Sequence, residues 1–144
     1  MHASTSFQRV STTDPAIELL GSSTDALRRA GWATSASLRY ELAYLCALRC
    51  GAAVLARRAR PRSLRARPRG MWGLLATTAP ELTEWAQFFA ACGTCSAAIK
   101  DGRATVSARQ ADDLLRDAAA FLAIAQGQIA QGNSAQGHSV QQRP

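Results

Sequence analysis

The sequence predicts an all-α protein, a five-helix up-and-down bundle, and three observations carry that reading. Alanine, leucine and arginine dominate the 144 residues while β-branched and aromatic residues are sparse, the composition with the highest intrinsic helix preference. Apolar residues recur at three- and four-residue spacing along successive stretches, the period of a helix with one buried face. Proline, glycine and serine punctuate those stretches where helices would start and stop. A chain of this length suits one domain whose core needs no disulfide or metal staple.

Asp14-Pro15 supplies a capping carboxylate and a first-turn proline ahead of Ala16, Ile17, Leu19 and Leu20, so a first helix is expected from about Pro15 to Ala30. Gly21, Ser22 and Ser23 predict a kink or division in its middle, because an interior Gly costs roughly 1 kcal/mol against Ala. After a polar break at Gly31 to Ser35, a second helix is expected from Ser35 to Arg58. Leu38, Leu42, Leu45 and Ala52 mark one of its faces, and Tyr40, Ala43, Tyr44, Ala47 and Gly51 another. A helix apolar on most of its circumference is surrounded by others, which predicts a central position. Pro61 and Pro68 forbid its continuation, and residues 57–69 read as an Arg/Pro-rich loop.

A short helix is expected at Met71 to Thr77, and Ala79-Pro80-Glu81 starts a fourth running to Lys100. Leu82, Trp85, Phe88, Phe89, Cys92, Ser96 and Ile99 form its core stripe, and Asp101-Gly102 ends it. Ser107 caps the last helix, whose stripe is Ala111, Leu114, Leu115, Ala118, Leu122, Ala125 and Ile129, with Asp112, Asp113, Arg116 and Asp117 on the wet side. From Ala125 the triplet Ala-Gln-Gly recurs every five residues, a spacing that fits no repeat fold. The expected organisation is a flexible segment 1–13, a helical domain 14–131 and a disordered Gln/Gly/Ser tail 132–144.

Charge is distributed unevenly. The net +7 coincides with Arg57, Arg58, Arg60, Arg62, Arg65, Arg67 and Arg69, seven bases within thirteen residues that hold no acid. Such a patch attracts RNA or another polyanion, anionic lipid or an acidic partner. With Trp72 just beyond it, the segment is a candidate nucleic-acid contact, guanidinium groups neutralising phosphates and the indole stacking on a base. The competing reading is a solvated loop that aids solubility, with Trp72 packed beside Leu74 and Leu75.

Cys92-Gly-Thr-Cys95 has the spacing of a thiol redox pair or half a zinc site, and Cys46 and Cys50 stand one turn apart. Core packing is the favoured reading of all four, and no metal or cofactor is expected. The only histidines, His2 and His138, fall in the two expected disordered segments, and no nucleophile elbow, Walker loop or dinucleotide fingerprint occurs. A non-enzyme is expected. Met1 to Thr13 hold no apolar run of signal-peptide or membrane-span length, which predicts a cytoplasmic protein with reduced thiols and no membrane partner.

The blocks Leu38-Arg39-Tyr40-Glu41-Leu42-Ala43-Tyr44-Leu45-Cys46-Ala47-Leu48-Arg49, Met71-Trp72-Gly73-Leu74-Leu75, Ala79-Pro80-Glu81-Leu82-Thr83-Glu84-Trp85-Ala86 and Ala111-Asp112-Asp113-Leu114-Leu115-Arg116-Asp117-Ala118, in this order, resemble an actinobacterial family of HEPN-domain proteins. The resemblance covers roughly Ser35 to Ala125. It implies a bundle of four or five helices, often paired as a dimer. Many such domains are metal-independent RNases with an Arg-x4-6-His motif; others lack it and are thought to bind RNA, nucleotides or partner proteins. Here Tyr44 stands where a histidine would follow Arg39, and no Arg precedes His138 at the required distance. Without an imidazole to move the proton of a ribose 2′-hydroxyl, the resemblance implies the fold without the RNase activity. The expected function is nucleic-acid association through the arginine segment. The alternative is a protein-contact module, a homodimer or a subunit tethering a partner, with a salt-insensitive apolar interface.

Overall fold

The computed structural model describes the backbone of residues 14–58 and 70–141, and side chains from 14 to 58 and 70 to 132. Five α-helices and no strand occur among these residues. They are α1 (Pro15–Trp32), α2 (Ala36–Arg58), α3 (Gly70–Thr78), α4 (Thr83–Lys100), entered through a 3-10 turn at Pro80–Leu82, and α5 (Ala108–Gln141). The helix ends are built as their sequences dictate. Asp14 accepts from the Ala16 N–H at 2.9 Å with Pro15 behind it. The Ser35 hydroxyl accepts from the Leu38 N–H at 3.1 Å. Ser107 and Gln110 form a reciprocal box, each accepting from the other's backbone N–H, at 3.1 and 2.8 Å. Gly102 ends α4 at φ +72°, a left-handed value open to glycine at no steric cost.

Helix α2 is the centre of the bundle and packs against each of the other four. Its buried residues, Tyr40, Leu42, Ala43, Cys46, Ala47, Cys50, Gly51, Ala53, Val54 and Leu55, surround most of its axis. Small residues permit the close approaches. A Cβ at Gly51 would lie 3.0 Å from both Met71 Cε and Trp72 Cζ3, so its absence lets α3 seat against α2.

Below α3 the core is aromatic. Phe89 on α4 is fully buried, and Trp72, Trp85, Phe88 and Phe121 surround it with ring centroids 5.4, 5.7, 5.1 and 5.0 Å away. Offset and tilted ring pairs of this kind add stabilisation beyond the area they bury. Phe121, fully buried on α5, belongs to this cluster although it lies outside the stripe expected from Ala111 to Ile129.

Several expectations need correction. Helix α1 is unbroken and runs two residues further, to Trp32; the Ser23 and Thr24 hydroxyls both donate to the Leu20 carbonyl, and Ser23 is buried against the core, so packing outweighs the glycine penalty. Arg57 and Arg58 are the last residues of α2 and not part of the loop; their side chains find carboxylates that hold the final turn. Helix α5 continues to Gln141 through most of the expected disordered tail. Alanine and glutamine favour helix, and extension of a packed helix needs no new nucleus. Leu38 and Phe88 are exposed despite their places in apolar stripes. The expectation of a flexible segment at 1–13 lies outside the described residues. No helix among the described residues is long and apolar enough to cross a membrane.

Candidate functional site

The basic segment begins where α2 ends, at the side of the bundle that holds the start of α1. Cations belong at a helix C-terminus, where they offset the exposed carbonyl dipoles. Arg57 pairs with Asp14, the N-cap of α1. Arg58 pairs with Glu81 in the 3-10 turn and donates to Gln128 Oε1 of α5 at 2.9 Å. The two arginines thus fasten the end of α2 to α1, α4 and α5. The Glu81 backbone N–H and the Arg58 guanidinium hold the Glu81 carboxyl below the usual carboxylate range. The contribution of this pair is therefore present at neutral pH and is lost as the pH falls through that lowered value.

Arg60, Arg62, Arg65, Arg67 and Arg69 lie outside the described residues. The described residues balance ten acids against ten bases, so the excess positive charge belongs to those five arginines together with Arg9 and Arg143.

Trp72 is not available to a base. Its ring stacks on Phe89, and its indole N–H donates to the Tyr44 hydroxyl at 3.0 Å. A large apolar ring whose one polar atom finds a buried partner is more stable inside than in water. The same bond fixes Tyr44, the residue standing where a catalytic histidine would follow Arg39.

Arg39 is structural as well. Its guanidinium donates to the Ala30 and Ala33 carbonyls, at 3.2 and 2.8 Å, and to Asp112 Oδ1 at 2.5 Å, joining the end of α1 to α2 and α5. Arg39→Ala removes the guanidinium donor from both carbonyls, of which Ala30 keeps the Ala33 N–H, and is expected to cost about 2 kcal/mol in urea unfolding. Arg39→Lys should restore less than half of that, since an ammonium cannot reproduce the planar fork. Full restoration by Lys would reduce the contact to simple charge pairing.

The four cysteines form two separate pairs, all free thiols. Cys46 and Cys50 are fully buried beside Ser23, and a hydrogen bond with Cys50 together with burial holds the Cys46 thiol above its ordinary range. Cys92 and Cys95 flank the Tyr40 hydroxyl, and burial pushes the Cys92 thiol up. Hydrogen bonds from Cys46 and Ser23 pull the Cys50 thiol the other way, below its ordinary range, against the effect of burial. Among the described residues, no three His, Cys, Asp or Glu side chains stand together as a ligand set. His2 lies outside the described residues, and His138 belongs to the last turns of α5.

Several surface grooves lie among the described residues, and the sequence signalled neither of the two that follow. One, about 530 Å³, lies between α1 and α5 and is lined by Leu27, Arg28, Gly31, Trp32, Asp112, Leu115, Arg116 and Ala119. Trp32 is 82% exposed there. The other is lined by Glu84, Trp85 and Phe88 of α4 and Asp117 of α5. The sequence placed Trp32 in the polar break after the first helix; the structure makes it the last residue of α1.

A family model described as SAV_6107-like HEPN matches residues 30–126, nearly the stretch over which the sequence blocks carry their resemblance. The match takes in α2, α3, α4 and the packed part of α5, and leaves most of α1 outside. Neither a curated protein nor a solved structure matches the chain.

Proposed function

From the premise that this chain belongs to the SAV_6107-like HEPN family, we propose that it is a non-catalytic binding module that holds an arginine-rich segment out to RNA or another nucleic acid. The observation that carries the reading is the separation of charge. The packed helices are electrically balanced, while five arginines without an intervening acid lie between Arg58 and Gly70. Arg57 and Arg58 anchor the segment to the bundle and are not themselves its contact surface, because both are committed to carboxylates. Trp72 anchors α3 in the same way. What reaches a ligand is therefore guanidinium charge without an aromatic platform, which favours backbone phosphates over base recognition.

The absence of catalysis is part of the proposal. Arg39 and Tyr44, the pair nearest in spacing to the RNase motif, are bound into the helix contacts and supply no imidazole. The test is binding of short labelled RNA and DNA at low and physiological salt, by the wild type and by a variant with Arg62, Arg65, Arg67 and Arg69 changed to Ser. Affinity should fall steeply with salt, and the variant should lose about three units of the log–log salt slope for a single strand. Equal binding by the two proteins, or none by either, overturns the reading. Cleavage of the RNA during the assay would overturn its non-catalytic half.

A further inference from the structure

We propose that copies of this chain associate head to tail, the Trp32 groove of one receiving the Phe88 patch of the next. The two patches share an exposed aromatic side chain and carry opposite uncompensated charge. At the first, Asp112 is paired with Arg39 and Arg116 with Asp113, while Arg28 makes no ion pair among the described residues. The charge left over is positive. At the second, Glu84 and Asp117 flank Trp85 and Phe88, and neither carboxylate makes an ion pair among the described residues. The charge left over is negative.

The rings fit the same account. Trp32, at 82% exposed, and Phe88, at 42%, belong to the few large apolar side chains that the described surface leaves open. Two small exposed residues, Gly31 and Ala119, line the Trp32 groove, and a Cβ added at Gly31 would meet nothing within 4 Å. An inserted phenyl ring therefore finds room beside the indole, with Arg28 placed to meet a carboxylate arriving with it.

Position decides the symmetry. Leu115 and Ala119 line the first groove from one side of α5, and Asp117 lines the second from nearly the opposite side, two residues being about 200° of helical turn. The two patches of one copy cannot meet each other, and their charges make each a poor partner for itself. A contact between unlike patches is heterologous and leaves a free patch at each end. A nucleic acid is a worse occupant of the Trp32 groove, because the stronger positive charge lies with the arginine segment.

This inference goes beyond the nucleic-acid reading and leaves the arginine segment untouched. The experiment is mass measurement by sedimentation over a wide concentration range on wild type, Trp32→Ala, Phe88→Ala and a mixture of the two variants. Both substitutions lie at exposed positions, and circular dichroism checks the fold. The wild type should grow beyond a dimer with concentration, each variant alone should stay monomeric, and the mixture should give a one-to-one dimer and nothing larger. Either substitution should weaken the contact at least about thirtyfold, the size of an interface hot spot. Ala119→Arg, which fills the groove with charge, should act as Trp32→Ala does. A monomeric wild type overturns the proposal, as does a dimer that survives Phe88→Ala, which would indicate a two-fold contact of like patches. Loss of RNA affinity in Trp32→Ala without any change of mass would also overturn it, assigning the groove to nucleic acid.

Discussion

Phe89→Ala is expected to remove about 3–5 kcal/mol of stability and to lower the thermal midpoint by roughly 10–20 °C. The ring is fully buried at the meeting point of α3, α4 and α5, touching Trp72, Trp85, Phe88 and Phe121. Its neighbours are rigid aromatic rings that cannot collapse into the space it leaves, so the cavity term is near its upper range. Against a total stability of about 5–15 kcal/mol for a domain, the variant approaches the folding threshold. Phe89→Leu, which keeps most of the volume, should cost less than half as much. Thermal melts followed by far-ultraviolet circular dichroism test both, and an alanine variant within about 1 kcal/mol of wild type would mean that the aromatic cluster is loosely packed.

Gly93→Ala should destabilise by about 2 kcal/mol, the opposite sign to helix propensity, which favours Ala over Gly by about 1 kcal/mol. A Cβ at Gly93 would stand 2.5 Å from the Tyr44 hydroxyl oxygen and 2.9 Å from Cζ. Tyr44 cannot swing aside cheaply, because its hydroxyl accepts the hydrogen bond of the buried Trp72 indole. Displacing it leaves that N–H unpaired, a further cost of about 1–3 kcal/mol. A double-mutant cycle separates the effects. Tyr44→Phe alone should destabilise by removing the indole's partner; in the Gly93→Ala background the same change should cost less, since it also removes the closest clash. A Gly93→Ala protein more stable than wild type would show that α2 and α4 have room to part.

Much of the architecture was legible because its signals are local. Asp14-Pro15, Ser35 and Ser107 with Gln110 cap helices through atoms two or three residues away, and the apolar stripes of α4 and α5 follow from helical geometry alone. Arg57 and Arg58 illustrate where this legibility stops. Their charge is plain in the sequence, yet their roles depend on Asp14 and Glu81, which only folding brings to them. Trp72 and Trp32 make the same point in opposite directions. The tryptophan beside the arginine run is buried, and the one at the end of a regular amphipathic helix is exposed.

The sequence by itself determined an all-helical chain, the approximate ends of its helices, its family and the concentration of most of its excess charge in one segment. Those properties depend on composition, short-range spacing and capping, and each can be evaluated residue by residue. Only the tertiary structure decided which aromatic rings form the core, which arginines act as fasteners and which two surface patches carry unmatched charge. Burial and pairing are properties of side chains distant in sequence, and helix periodicity fixes where a residue points without fixing what stands opposite it.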